Sequence, residues 1–184
     1  MEITVKRITP IELWRECAEM TTGHDCKMPW SKILAMGHSP IRASQWAIKL
    51  IDVPLFVVSH LVRHHVGVQV YQKSHRPDRD KNAKDEGRMT PTSAMILCNA
   101  EALINMAHKR LCAKASPETR EIFGQICELV EEQDPDLYKH LVPQCVYRGG
   151  ICPESKCCGY IASEKGQSRL KFYKALFNQK NNSK

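Results

Sequence analysis

The chain has 184 residues, 42% hydrophobic and 26% charged, with 27 Lys and Arg against 20 Asp and Glu for a net charge of +7. That balance excludes a disordered or collagen-like chain, and no apolar run reaches membrane-spanning length. The length predicts one domain with a real core, and the charge favours anionic partners such as nucleotides, nucleic acid or phosphate-bearing cofactors without choosing among them.

From the start, MEITVKR alternates as a strand over 2–8, and a helix is expected from about 10 to 21, with Pro10 at its permitted first turn. A second helix covers 29–36 and stops at Gly37; ASQWAIKLID, 43–52, reads as a strand. Asp52 is then read as an N-cap, with Pro54 opening a short apolar helix to about His64, and VGVQVYQK, 66–73, alternates again. The polar stretch 76–91 is expected to be a loop, followed by one long helix over 92–113. A further helix starts at Ser116-Pro117-Glu118 and runs to about Glu132, a short one covers 135–141, and 143–162 is irregular. Residues 163–178 predict a basic amphipathic helix whose Lys and Arg form a solvated face, so the expected organisation is a catalytic domain over 1–162 and a C-terminal basic helix and tail over 163–184.

Nine cysteines, an odd number behind an N-terminus without signal-peptide character, predict reduced thiols in a cytoplasmic setting. Cys17, Cys98, Cys112 and Cys127 sit in helix-like patterns and read as small core residues. In the tail, Cys145-x6-Cys152-x4-Cys157-Cys158 has only one gap of zinc-site length, and His60 and His64 at i,i+4 have no third ligand beside them. No metal site is therefore assigned.

Two patterns point towards a ligand. In LVRHHVGVQVYQKSHR, 61–76, an Arg-His-His triplet precedes an alternating strand that ends in Ser-x-Arg, a pairing neither a core strand nor a plain basic patch requires. In the expected long helix, Asn99 and Arg110 point within about 20° of each other and lie roughly 16 Å apart along the axis, with Ala102 and Met106 between them. His108 falls off that face and is expected to be exposed or satisfied locally.

PLFVVSHLVRHH, followed by the strand and Ser-x-Arg, resembles the signature of the flavin-dependent thymidylate synthases, the ThyX family: Arg-His-Arg, a short strand, then Asn-Glu-x-Ser-x-Arg. Arg63 and His64 match its first two positions and His65 replaces the third. Ser74 and Arg76 match the Ser-x-Arg, while Gln72 stands in place of Glu and Tyr71 in place of Asn. MGHSPIR, 36–42, resembles the family's Gly-His-x-Thr-Pro, giving His38 and Ser39. NAEALINMAHKR, 99–110, resembles its Asn…Asn…Arg helix, giving Asn99, Asn105 and Arg110. RLCAKASPETR, 110–120, and PQCVYRGGICPESKCCG, 143–159, resemble a cysteine-bearing branch, so the likeness spans about 36–160. Only 22 residues separate Arg76 from Asn99, far fewer than in typical members, and Arg88 is the one counterpart there of a substrate-contacting Arg.

The resemblance implies an α+β fold, a small antiparallel sheet packed against several helices. It implies transfer of a one-carbon unit from methylenetetrahydrofolate to C5 of dUMP, giving dTMP, with FAD as cofactor and NADPH as reductant. His38, Ser39, Arg63, His64, His65, Asn99 and Asn105 are implied at the flavin. His60, Gln72, Ser74, Arg76, Arg88 and Arg110 are implied at the nucleotide, with Arg110 as the catalytic cation and Ser74 as a phosphate hydrogen-bonder, not a nucleophile. A homotetramer with shared sites is expected, with no nucleic acid and no membrane as partner. The first alternative is a ThyX-like enzyme acting on another pyrimidine nucleotide, for example by hydroxymethylation. The second is a zinc-stabilised basic nucleic-acid-binding protein, which charge and cysteines alone allow.

Overall fold

The computed structural model describes residues 1–76, 78, 79 and 87–178. Most of the expected loop within 76–91, and the end of the C-terminal tail, lie outside the described residues. Four strands, β1 (Glu2–Arg7), β2 (Gln45–Pro54), β3 (Val68–Gln72) and β4 (Pro91–Asn99), form one antiparallel sheet in the order β1-β2-β4-β3. With the helices described below this is the expected α+β architecture. β2 alternates as a half-buried strand must: Trp46, Ile48 and Leu50 are fully buried while Lys49 points to solvent.

The 92–113 reading is corrected here. Residues 91–99 are the strand β4, and only Ala100–Arg110 is helix, α4. Ala, Met and Leu dominate SAMILCNAEAL and favour helix locally, but the segment pairs with β2 on one side and β3 on the other. A strand hydrogen-bonded along both edges overrides a propensity of tenths of a kcal/mol per residue. Thr92, Ala94, Ile96 and Cys98 face the core at period two. Asp52 is also not an N-cap. It adopts φ 54° where the β2–β4 register shifts between Leu50 and Val53, a bulge that Asp tolerates better than bulky residues do. The helix that follows, α3 (Leu55–Leu61), starts directly after Pro54.

Before the sheet's second strand come α1 (Leu13–Thr22) and α2 (Trp30–Met36), the latter closed by left-handed Gly37 at φ 65°. A 3-10 turn, Ser39–Ala43, carries the chain into β2. After α4, α5 (Pro117–Glu131) begins as expected, with the Ser116 hydroxyl accepting from the Thr119 backbone. Leu103, Met106 and Ala107 of α4 and Phe123, Ile126 and Val130 of α5 are fully buried in the main core with Trp46, Ile48, Leu61 and Ile96. Each large side chain there contributes about 1.5–3 kcal/mol by leaving water.

The C-terminal part has a smaller core of its own. Val142, Cys145, Val146, Leu170 and Tyr173 cluster where α7 (Gln144–Tyr147) meets α8 (Glu164–Asn178). Arg169 of α8 donates to the Leu141 carbonyl at 2.8 Å. The basic helix therefore docks through its apolar side and keeps Lys171 and Lys174 exposed. α6 (Pro135–Tyr138) is capped by Asp134, whose carboxylate accepts from the Leu137 N–H and the Trp30 indole and pairs with Arg7 at 3.1 Å.

Candidate functional site

The turn that follows α3 and the end of α4 meet to form a cationic corner. Arg110 closes α4, and its Nε donates to His64 Nε2 at 3.0 Å. A guanidinium has no acceptor, so the accepting nitrogen is unprotonated and His64 is the neutral Nδ1–H tautomer. Burial, then the charges of Arg110, His65 and Lys109, hold the His64 pKa down at about 4, in agreement with that reading. Desolvation, followed by the neighbouring Arg63, lowers Arg110 from its ordinary value. Among the described residues neither Arg63 nor Arg110 has a carboxylate within ion-pair distance.

One turn earlier on α3, His60 joins this line. Its Nδ1 meets the Thr119 hydroxyl at 3.0 Å, and Thr119 accepts from Ser116 Oγ at 2.8 Å. Thr119 thus engages Nδ1 and leaves the opposite ring nitrogen, Nε2, as the one that can face a ligand. Desolvation first, then Arg110, Arg63 and Arg88, lower the His60 pKa. Arg88 lies over the Phe56 ring at 4.2 Å, a cation–π contact that holds its guanidinium at the start of α3. The structure therefore assembles His60, Arg63, His64, Arg88 and Arg110 from three separated segments.

Other expected site residues fall elsewhere. Asn99 is not on a helix face but is the N-cap of α4: its Oδ1 accepts from the Ala102 N–H at 2.8 Å. A Cβ at Gly67, φ 70°, would stand 2.5 Å from Asn99 Nδ2, so glycine is required in the HHVG turn for this close approach. Asn105 points about 140° away from Arg110 around the helix and lines a second cavity of about 450 Å³. Met36 and Gly37 contribute to its wall, and His38 and Ser39 follow them, exposed. His65 is exposed and folds back onto the Arg63 carbonyl. Gln72 is exposed on the edge strand β3, opposite Ala94, with half-buried Ser74 just beyond. Arg76 is exposed and forks onto Asp78 at 2.8–2.9 Å.

Several participants escaped the sequence reading. Thr119, held by Ser116, reaches His60 across 59 positions of sequence, which no local pattern signals. Tyr147, Tyr173, His140 and Phe177 furnish the wall of the second cavity from the tail. His108, expected to be exposed or satisfied locally, is buried and stacked on Tyr147 at a centroid distance of 4.2 Å; burial holds its pKa at about 4. The one local signal was its spacing from Asn105, which puts both on the cavity side of α4.

No protein-family model matches the chain. A flavin-dependent thymidylate synthase of Clostridium tetani is 30% identical over 96 residues, covering 49% of this chain and 38% of that relative. The match thus spans well under half of the curated relative's length. Among solved structures, thymidylate synthase X from Helicobacter pylori, crystallised with FAD and dUMP, superposes with a TM-score of 0.62 at 13% identity over 77% of this chain and 99% of that one. The UMP/dUMP methylase PolB of Streptomyces cacaoi, bound with 5-Br dUMP, gives 0.58 at 14% identity over 76% and 94%. At these identities the structural likeness establishes the fold, and the ordered motifs and the curated relative add the sequence connection. The chain has the fold of the flavin-dependent thymidylate synthases and is similar in sequence to one of them over about half of its length.

Proposed function

We propose that the protein is an FAD-dependent enzyme that transfers a one-carbon unit from methylenetetrahydrofolate to C5 of dUMP, giving dTMP, with NADPH as reductant. The observation that carries this reading is the cationic corner: Arg110 half-buried on a neutral histidine, Arg63 beside it, and no described carboxylate paired with either. A half-buried cation with an exposed one beside it, neither with an internal anion, suits phosphate and pyrophosphate ligands, and arginine offers a bidentate fork for them. That donor set fits FAD. The flavin, when bound, supplies the hydride chemistry.

The chain's own residues then bind and polarise. Arg63, His64 and His65 would face flavin phosphates, joined by His38, Ser39 and Asn105 from the second cavity's side, with Asn99 shaping the Gly67 turn. His60 offers Nε2, Ser74 and Arg76 offer phosphate contacts once Arg76 exchanges Asp78 for the ligand, and Arg88 closes the start of α3. Gln72 contributes an amide at the edge strand. Arg110 is a fixed cation placed to stabilise negative charge developing on a uracil ring.

Because Asn105 and Arg110 lie on different sides of α4, one flavin reaching both sets requires surfaces of more than one subunit. This supports a homotetramer with shared sites. Nine free thiols among the described residues support a reducing, cytoplasmic setting. No helix among the described residues is long and apolar enough to cross a membrane.

A second reading, modification of another pyrimidine nucleotide, rests on the neutral Gln72 where the family carries Glu. The test supplies FAD, methylenetetrahydrofolate and NADPH and offers dUMP, UMP and dCMP separately, with products identified by mass spectrometry. dTMP from dUMP supports the first reading. A product from UMP or dCMP, with none from dUMP, replaces it with the second.

A further inference from the structure

Four cysteines from three separate stretches line one cavity of about 180 Å³: Cys112 just beyond α4, Cys145 in α7, and Cys152 and Cys158 in the irregular segment before the 3-10 turn Tyr160–Ala162. Cys157 does not line that cavity but lies beside Cys152. Spacing in the sequence gave little reason to expect this, since Cys112 lies 33 positions before Cys145 (145 − 112).

The segment carrying three of these thiols has little else to order it. Among the described residues, positions 152–158 neither donate nor accept a backbone–backbone hydrogen bond. Cys157 and Cys158 are exposed, and only Cys152 packs against the small C-terminal core. The backbone N–H groups that are engaged point at sulfur. Glu154 donates to Cys152, and Gly159 donates to Cys157 Sγ at 3.4 Å. In both turns a thiol accepts from the N–H two residues further on, so the backbone there is shaped around sulfur. Cys152-x4-Cys157 also has the spacing of a chelating cysteine pair.

We propose that Cys112, Cys145, Cys152 and Cys157 form a four-thiolate site for a soft divalent cation, zinc, that fixes the 151–159 segment against the end of α4. As the side chains stand, no three candidate ligands among the described residues are gathered closely enough to hold an ion. Closure needs rotation of cysteine side chains between staggered rotamers about the shared cavity, with the backbone turns already formed. Binding replaces four S–H bonds by four Zn–S bonds, releases the thiol protons to solvent and changes no oxidation state. A four-thiolate zinc centre carries net negative charge, and Lys109, Arg110 and Lys114 on the same cavity wall offset it. Because Arg110 belongs to both walls, the metal would also brace the cation of the corner described above.

The test uses the full chain produced with zinc present and washed without chelator. Elemental analysis should find about one zinc per chain. Cys112→Ser, Cys145→Ser, Cys152→Ser and Cys157→Ser should each lose most of it, while Cys17→Ser and Cys26→Ser retain it. Should the ligand variants fail to fold, cobalt(II) added to chelator-treated wild-type protein decides, with the intense visible bands of a tetrahedral thiolate complex expected. Wild-type protein that retains no zinc and gives no such bands overturns the proposal, as does a Cys152–Cys157 disulfide in freshly purified protein. Zinc lost in Cys158→Ser but kept in Cys157→Ser overturns the assignment of the fourth ligand.

Discussion

Arg7 and Arg110 are two arginines withdrawn from water, and their surroundings differ in one respect that separates structure from site. Arg7 is 9% exposed, pairs with Asp134 at 3.1 Å and lies 5.9 Å from the ring centroids of both Trp30 and Trp46. Its anion is built into the fold, and the same carboxylate also caps α6 and accepts the Trp30 indole. Arg110 meets a neutral histidine and a second arginine instead. Desolvation lowers the pKa of both guanidiniums. Only Arg7 is compensated from within the chain. An internal counter-ion marks an arginine that ties β1 to α6, and its absence is what the proposed function expects of an arginine that takes its anion from a ligand.

The contrast is broken most severely by Asp134→Ala. It leaves Arg7 buried without its counter-ion and the Trp30 indole and Leu137 amide without their acceptor. The expected loss is about 3–5 kcal/mol of stability, read from urea unfolding. Arg110→Ala should fall within about 1 kcal/mol of zero in the same experiment, because the lost hydrogen bond to His64 is offset by relief of like-charge proximity to Arg63 and no ion pair is broken. If the two variants are equally destabilised, the distinction between them fails.

Function should show the reverse order. Arg110→Lys should cut kcat by well over tenfold with a modest change in flavin content, because an ammonium cannot reproduce the planar fork. Arg63→Ala should reduce FAD retention through a lost charge-assisted phosphate contact of about 1.5–3 kcal/mol, visible in the flavin absorbance of purified protein. Undiminished flavin in that variant would move the cofactor away from the corner.

A pH series sharpens the comparison further. Burial holds His64, His108 and His140 at about 4, below the ordinary 6.5. The unfolded chain therefore binds protons that the folded one refuses as pH falls below 6.5. Stability should be full above that value and drop progressively towards pH 4. Thermal unfolding across that range checks it, and a melting temperature that rises on acidification would contradict it.

The smallest effects belong to the edge strand. Ser74→Ala should raise the KM for nucleotide with kcat nearly unchanged, since the hydrogen bond serves ground and transition states alike. Abolished turnover with intact nucleotide binding would overturn its assignment as a phosphate contact. Gln72→Glu should preserve dUMP methylation if the protein is a conventional thymidylate synthase, and damage activity if Gln72 marks another pyrimidine.

Much of this architecture was legible where local chemistry and tertiary context agree. Ser116-Pro117 opened α5, Gly37 closed α2, and the alternation in β1, β2 and β3 survived into the sheet. β4 was not legible, because its Ala, Met and Leu favour a helix until two neighbouring strands claim both edges. The corner itself was half-legible. Arg63, His64 and Arg110 stood out by motif, whereas the Ser116–Thr119–His60 chain and the Phe56 platform under Arg88 exist only through tertiary packing. The cysteine cluster was hidden for the same reason: its members come from α7 and two segments outside the helices.

The central claim is that the anion missing from the Arg63–His64–Arg110 corner is a ligand phosphate. Calorimetric titration of FAD and of dUMP into folded wild-type and Arg63→Ala/Arg110→Ala protein, each at low and high salt, tests it most directly. Wild-type protein should bind both ligands with affinity that falls as salt rises, and the double variant should bind them much more weakly with a flatter salt dependence. A folded double variant that binds FAD and dUMP as tightly as wild-type, with the same response to salt, would contradict the account.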